Sequence, residues 1–118
     1  MFRRAIACAS LALLLAAPLA ASDRRSDARA QVEFGIDVAM RGLWKEAIYR
    51  WEKAIEIDPT YAAAYNNLAI AYEHEGLFQK AKDAYERAIK LEPKNAFIKQ
   101  NLEFFKEIND RANRQPPG

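Results

Sequence analysis

Few side chains in this 118-residue sequence could perform chemistry, and their spacing argues against it. His74 is the one histidine, and Glu73 and Glu75 stand beside it. A general base or metal ligand would be the sharp reading, but adjacent residues do not share a helix face. No second histidine or mature cysteine completes a ligand set either. Cys8, the one cysteine, lies within an apolar leader, ahead of most of its apolar stretch, which is the wrong place for a lipid-modified residue. Trp44 and Trp51 could stack on a ligand ring, yet Phe78 and Tyr85 recur 34 residues after each, which marks them as packing positions. There is no Gly-rich phosphate loop, no spaced metal ligands and no nucleophile with a base beside it. The expectation is a non-enzyme with no catalytic residue, no metal and no cofactor.

The leader sets the compartment. Met1-Phe2-Arg3-Arg4 is a basic start, Ala5 to Ala17 is almost wholly apolar, and Pro18-Leu19-Ala20-Ala21-Ser22 closes with small residues. This is the pattern of a secretory signal peptide over residues 1–22, cut after Ala20, Ala21 or Ser22. The apolar stretch falls short of the roughly 20 residues that cross a bilayer, so an uncleaved membrane anchor is the lesser alternative. Periplasmic or secreted residence is expected. Without Arg3 and Arg4, 18 basic residues become 16 against 16 acidic ones, so the mature charge is about zero. That balance leaves no basic footprint for nucleic acid, and membrane contact is expected only if the leader stays attached.

Positioning falls to a repeat. Residues 28–61 written above 62–95 align 34 positions without a gap, and 10 are identical, among them Gly42/Gly76, Ala47/Ala81, Ala54/Ala88 and Pro59/Pro93. A period of this length means a stacked array in which each unit buries its apolar face against the next. Within a unit the pattern reads helix, turn, helix. Gly42 and Gly76 can take the left-handed conformation that ends a first helix. Trp44, Ala47, Ile48, Trp51, Ala54 and Ile55 then recur at helical spacing until Asp58-Pro59 stops the second. Small residues at Ala47, Ala54, Ala81 and Ala88 allow close approach of helix axes, so a bulky residue at Ala81 or Ala88 would overpack by about 1–3 kcal/mol.

Asn95 is placed to cap a fifth helix over 96–112. Ile98, Leu102 and Phe105 form its inward row, and Lys99, Glu103, Lys106 and Asp110 form a solvated row that ends the array. Residues 23–27 read as a polar leader and 113–118 as a disordered tail. The expected fold is all-α: two helix-turn-helix repeats and a C-terminal capping helix, a short α-solenoid.

Tyr65, Leu68, Ala69, Tyr72, Gly76, Phe78, Ala81, Tyr85, Ala88 and Pro93 in the second unit resemble the tetratricopeptide repeat (TPR) family. Phe34, Gly35, Ala47, Trp51, Ala54 and Pro59 carry the resemblance in the first, where Gln31 and Val38 depart from the pattern. The resemblance implies a concave groove, lined by the first helix of each unit, that holds a segment of another polypeptide. Carried over position by position, that groove presents Val32, Glu33, Ile36 and Met40, then Asn66, Asn67, Ile70, Glu73 and His74. Phe97, Gln100, Asn101, Phe104 and Ile108 complete it. One branch of the family clamps a C-terminal carboxylate with Lys, Asn, Asn, Lys and Arg. Val32, Ile36, Asn67, Phe97 and Asn101 stand at those places, one match in five, so carboxylate clamping is not expected. The implied partner is a segment of an envelope or secreted protein with apolar anchors, whose backbone Asn67 and Asn101 could hydrogen-bond. The alternative is a homodimer whose groove is filled by its own copy.

Overall fold

A computed structural model describes residues 21–114, and the expectations for residues 1–20 and 115–118 lie outside them. Five helices follow one another: α1 (Ala21–Met40), α2 (Trp44–Ile57), α3 (Ala62–His74), α4 (Phe78–Leu91) and α5 (Ala96–Arg114). The helices α1 and α2 form one antiparallel hairpin and α3 and α4 the next, with α5 packed on the second. This is the all-α repeat array expected from the sequence.

The turns form for the reason the glycines suggested. Gly42 and Gly76 have φ of 78° and 75°, a region that costs a side chain dearly and glycine nothing. Around each, two backbone bonds close the helix: Gly42 N–H to Ala39 O and Leu43 N–H to Val38 O in the first unit, Gly76 N–H to Glu73 O and Leu77 N–H to Tyr72 O in the second. These pairs satisfy carbonyls that the helix end leaves open. At the start of α5, Asn95 Oδ1 accepts the backbone N–H of Phe97 and of Ile98 at 3.1 and 3.2 Å, as a capping residue should.

The core alternates small and large. Ala47, Ala54, Ala81 and Ala88 are fully buried, and Trp51 and Tyr85 fill the space between turns. Trp51 lies so close to α1 that a Cβ on Gly35 would come within 2.3 Å of its indole nitrogen, and that nitrogen donates to Val32 O at 3.0 Å. The second unit has the smaller Tyr85 opposite Ala69, both buried. Gln31, which replaces an aromatic, leaves its Oε1 buried without a partner.

Both ends of the array are closed. Lys99, Glu103, Lys106 and Asp110 are all exposed on α5, while Ile98, Leu102 and Phe105 are buried. At the other end Phe34 stands where the second unit buries Leu68, and the Arg50 guanidinium covers its ring at 4.2 Å. The attraction between a cation and an aromatic face holds the arginine there, so that it shields one side of the exposed ring.

Two boundaries are corrected. Residues 23–27 are not a loose leader but part of α1, which already runs through Ala21 and Ser22. Arg25 explains the order: its Nε donates to Asp58 Oδ2, its Nη2 to Thr60 Oγ1 at 3.2 Å, and its guanidinium lies 4.7 Å from the Tyr61 ring. This clasp ties the start of α1 to the joint between the repeats. Likewise α5 runs to Arg114 rather than 112, so Asn113 and Arg114 belong to the helix and not to the tail. The Arg111–Glu107 and Arg114–Asp110 pairs, each one turn apart, support that last stretch.

Candidate functional site

A 34-residue period brings equivalent side chains of α1, α3 and α5 into rows across one face. Glu33, Asn67 and Asn101 make a polar row, Ile36, Ile70 and Phe104 an apolar one, and Met40, His74 and Ile108 a third. Met40 is 82% exposed, Phe97 63%, Phe104 55% and Ile108 64%, and Ile36 is also exposed. Among the described residues, five of the ten exposed large apolar side chains therefore fall on this face. A cluster of that kind marks an interaction surface more often than scattered single residues do.

Between the first two helices of this face lies an apolar hollow of about 280 Å³, lined by Ile36, Ala39, Met40, Trp44, Trp51, Asn67 and Ile70. It brings together Ile36, Met40, Asn67 and Ile70 from the sequence-derived set. Trp44, Trp51 and Ala39 were not in that set. Trp44 is only half-buried, and its ring stacks on His74 at 4.2 Å with 22° between planes. The packing role assigned to Trp44 is thus half of the account, since one side of the ring faces the hollow. Periodicity hides this, because Phe78 at the equivalent place has no aromatic across from it.

Two expected groove residues are corrected. Val32 is 4% exposed and sits in the core, its carbonyl occupied by the Trp51 indole. Asn66 is 3% exposed, and its Oδ1 accepts from Asn101 Nδ2 at 3.1 Å. Val32 is enclosed in the core and Asn66 is engaged by α5, so neither is available to a ligand. Gln100 and Glu33 are exposed, Asn67 and Asn101 half-buried. Glu73 is half-buried and accepts the Tyr85 hydroxyl, whose pKa is raised by burial first and by Glu73 second.

A larger hollow, about 510 Å³, opens between α2 and α4 over Ile55, Leu68 and Ala84. Its rim is already engaged: Tyr72 donates to Glu52 at 3.1 Å, and Lys80 and Arg87 lie 5.7 and 5.8 Å from the Tyr72 and Tyr65 rings. Burial, then the Glu52 charge, pushes the Tyr72 hydroxyl up to about 12, so it stays a donor. Size alone does not make this the better site, because its aromatic faces carry the chain's own cations. Among the described residues no three His, Cys, Asp or Glu side chains gather as a metal site, and no helix is long and apolar enough to cross a membrane.

A tetratricopeptide repeat model matches residues 62–95, the second unit end to end, and a TPR repeat model matches residues 40–76. The chain carries tetratricopeptide repeats. The second TPR match runs from the end of α1 to the turn after α3, which places the joint between repeats in its middle. Among solved structures, the TPR domain of OM64 from Arabidopsis superposes with a TM-score of 0.68 at 22% identity, over 75% of this chain and 73% of that one. The Sgt2 TPR domain from Aspergillus fumigatus gives 0.70 at 27% identity over 79% of this chain. This chain spans 64% of the Sgt2 domain's length. No curated protein matches.

Proposed function

We propose that this protein is an exported adaptor that holds an apolar segment of an envelope or secreted protein on its concave TPR face. The hollow between Ile36 and Ile70 carries the reading. It is lined almost wholly by apolar and aromatic side chains, with Asn67 as the one amide among them. A site of that make-up takes one or two apolar anchor residues and orients them by a single polar contact. Export rests on the leader: a basic start, an apolar stretch and small residues at its end.

The test uses photo-crosslinking in living cells, with a benzophenone amino acid at Met40 beside the hollow or at Tyr49 on the far side. Adducts with one defined protein from Met40 only, abolished by Ile36→Asp, are expected. Equal adducts from Tyr49, or adducts that survive Ile36→Asp, would overturn the reading. Cell fractionation checks export separately: the shortened chain is expected outside the cytoplasm, and full-length chain confined to the cytoplasm would refute it.

A further inference from the structure

The exposed side of α5 carries a second apolar seam. Phe97, Asn101, Phe104 and Ile108 are spaced by four, three and four residues, continuing to Arg111. That spacing keeps one stripe in line along a helix and is the spacing with which two helices pack side by side. The inward row, Ile98, Leu102 and Phe105, is already buried against the second repeat, so the seam is additional to what the fold needs. Its side chains do not border the hollow at Ile36 and Ile70. They stand out from the last helix of the array, at 55–64% exposure for the three apolar members.

We infer that this seam pairs with the same seam of a second copy about a two-fold axis. Three properties of α5 favour a copy over another occupant. The stripe is self-complementary in spacing, as a two-fold interface requires, since each residue then serves both sides. Its polar margin consists of Gln100, Glu107 and Arg111, where Glu107 and Arg111 already attract one another, so two copies meet without a block of like charge. The mature chain is also near neutral, which removes long-range repulsion between copies. Three large apolar side chains per copy present roughly 300–400 Å² together, comparable to the largest apolar patch of a typical monomer. Two such seams bury less than about 1,000 Å² in total, the size of a weak, transient contact, so a monomer–dimer equilibrium rather than a permanent dimer is expected.

The pairing uses α5, whose Phe104 continues the row of Ile36 and Ile70, and none of the seam residues lines the hollow between α1 and α3. It does not depend on what the hollow binds.

Light scattering and sedimentation of the processed protein, purified as the cell makes it, test this over a concentration series up to roughly 100 µM. A shift from monomer to dimer is expected, weakened at least about tenfold by Phe104→Glu and by Ile108→Glu, because each charge enters the interface twice. Both side chains are more than half exposed, and an unchanged helical circular dichroism spectrum checks that the variants fold. Ile36→Asp, in the hollow, is expected to leave the dimer intact. A wild-type monomer throughout the series would overturn the inference, even if the crosslinking test supports the hollow. So would a dimer that both glutamate variants preserve, or one that Ile36→Asp alone dissociates.

Discussion

Replacing Gly35 by alanine sets two effects against each other. In a helix interior alanine is better than glycine by about 1 kcal/mol, so propensity alone makes the variant more stable. The structure predicts the opposite sign. A Cβ at position 35 would lie 2.3 Å from Trp51 Nε1, 2.7 Å from Cδ1 and 2.8 Å from Cε2. To reach an ordinary contact of 3.4 Å the rigid ring must retreat by about 1.1 Å. Its N–H bond to Val32 O, 3.0 Å long, cannot survive that displacement. Overpacking costs about 1–3 kcal/mol and a broken buried hydrogen bond about as much again. Net of the propensity gain, Gly35→Ala is expected to lose about 1–5 kcal/mol, a fall in melting temperature of at least about 4 °C for a domain of this size. Urea and thermal unfolding followed by helical circular dichroism measure it. The second repeat supplies the control, because Ala69 and Tyr85 occupy the equivalent positions there and both are buried. In Gly35→Ala with Trp51→Tyr, the alanine is expected to cost at least about 1 kcal/mol less than in the wild-type background. A Gly35→Ala variant more stable than wild type, or additive effects in the double variant, would refute the reasoning.

The Asp58 carboxyl is held down to about 2 from 3.8, by the Thr60 side chain first and Arg25 second. Its charged form is therefore favoured in the fold, so its contribution is complete above about pH 4 and lost as pH falls toward 2. Asp58→Asn is expected to cost about 1–2 kcal/mol at neutral pH, Arg25 being partly solvated, and to flatten acid unfolding in that window; an unchanged acid profile would refute it. Gln31→Leu removes a buried oxygen that has no partner and is expected to raise stability by about 1 kcal/mol in urea unfolding, where a loss would show that the amide is satisfied by water. Asn95→Ala opens the N-terminus of α5 and is expected to lose about 1 kcal/mol, with faster amide exchange at Phe97 and Ile98 as the local signature.

The helices were legible because their determinants are local or periodic. Gly42, Gly76, Pro59 and Pro93 punctuate the chain, and the small-large alternation of Ala47, Trp51 and Ala54 recurs one period later. The site was legible only in part. A 34-residue register says which residues share a row, and it put Ile36, Met40, Asn67 and Ile70 together. It does not say how far each row is covered by the neighbouring helix, which is why Val32 and Asn66 proved buried. Nor does it find contacts made once. The Trp44–His74 stack and the Arg25–Asp58–Thr60 clasp join residues whose counterparts in the other unit differ, so no repeat could announce them.

That clasp limits where the chain can be trimmed. A peptidase cutting after Ala20, Ala21 or Ser22 would leave Arg25 within the first five residues of the new chain, still able to reach Asp58. The newly freed amino group would sit at a helix N-terminus, where positive charge is disfavoured by about 0.3–1 kcal/mol, with Asp23 close by to offset it. Removal of three more residues beyond Ser22 would delete the arginine and cut the first turn of α1 loose from the joint between the repeats. The tolerance for ragged processing is thus only two residues beyond Ser22, and a folded product carries its own record of where the cut was made.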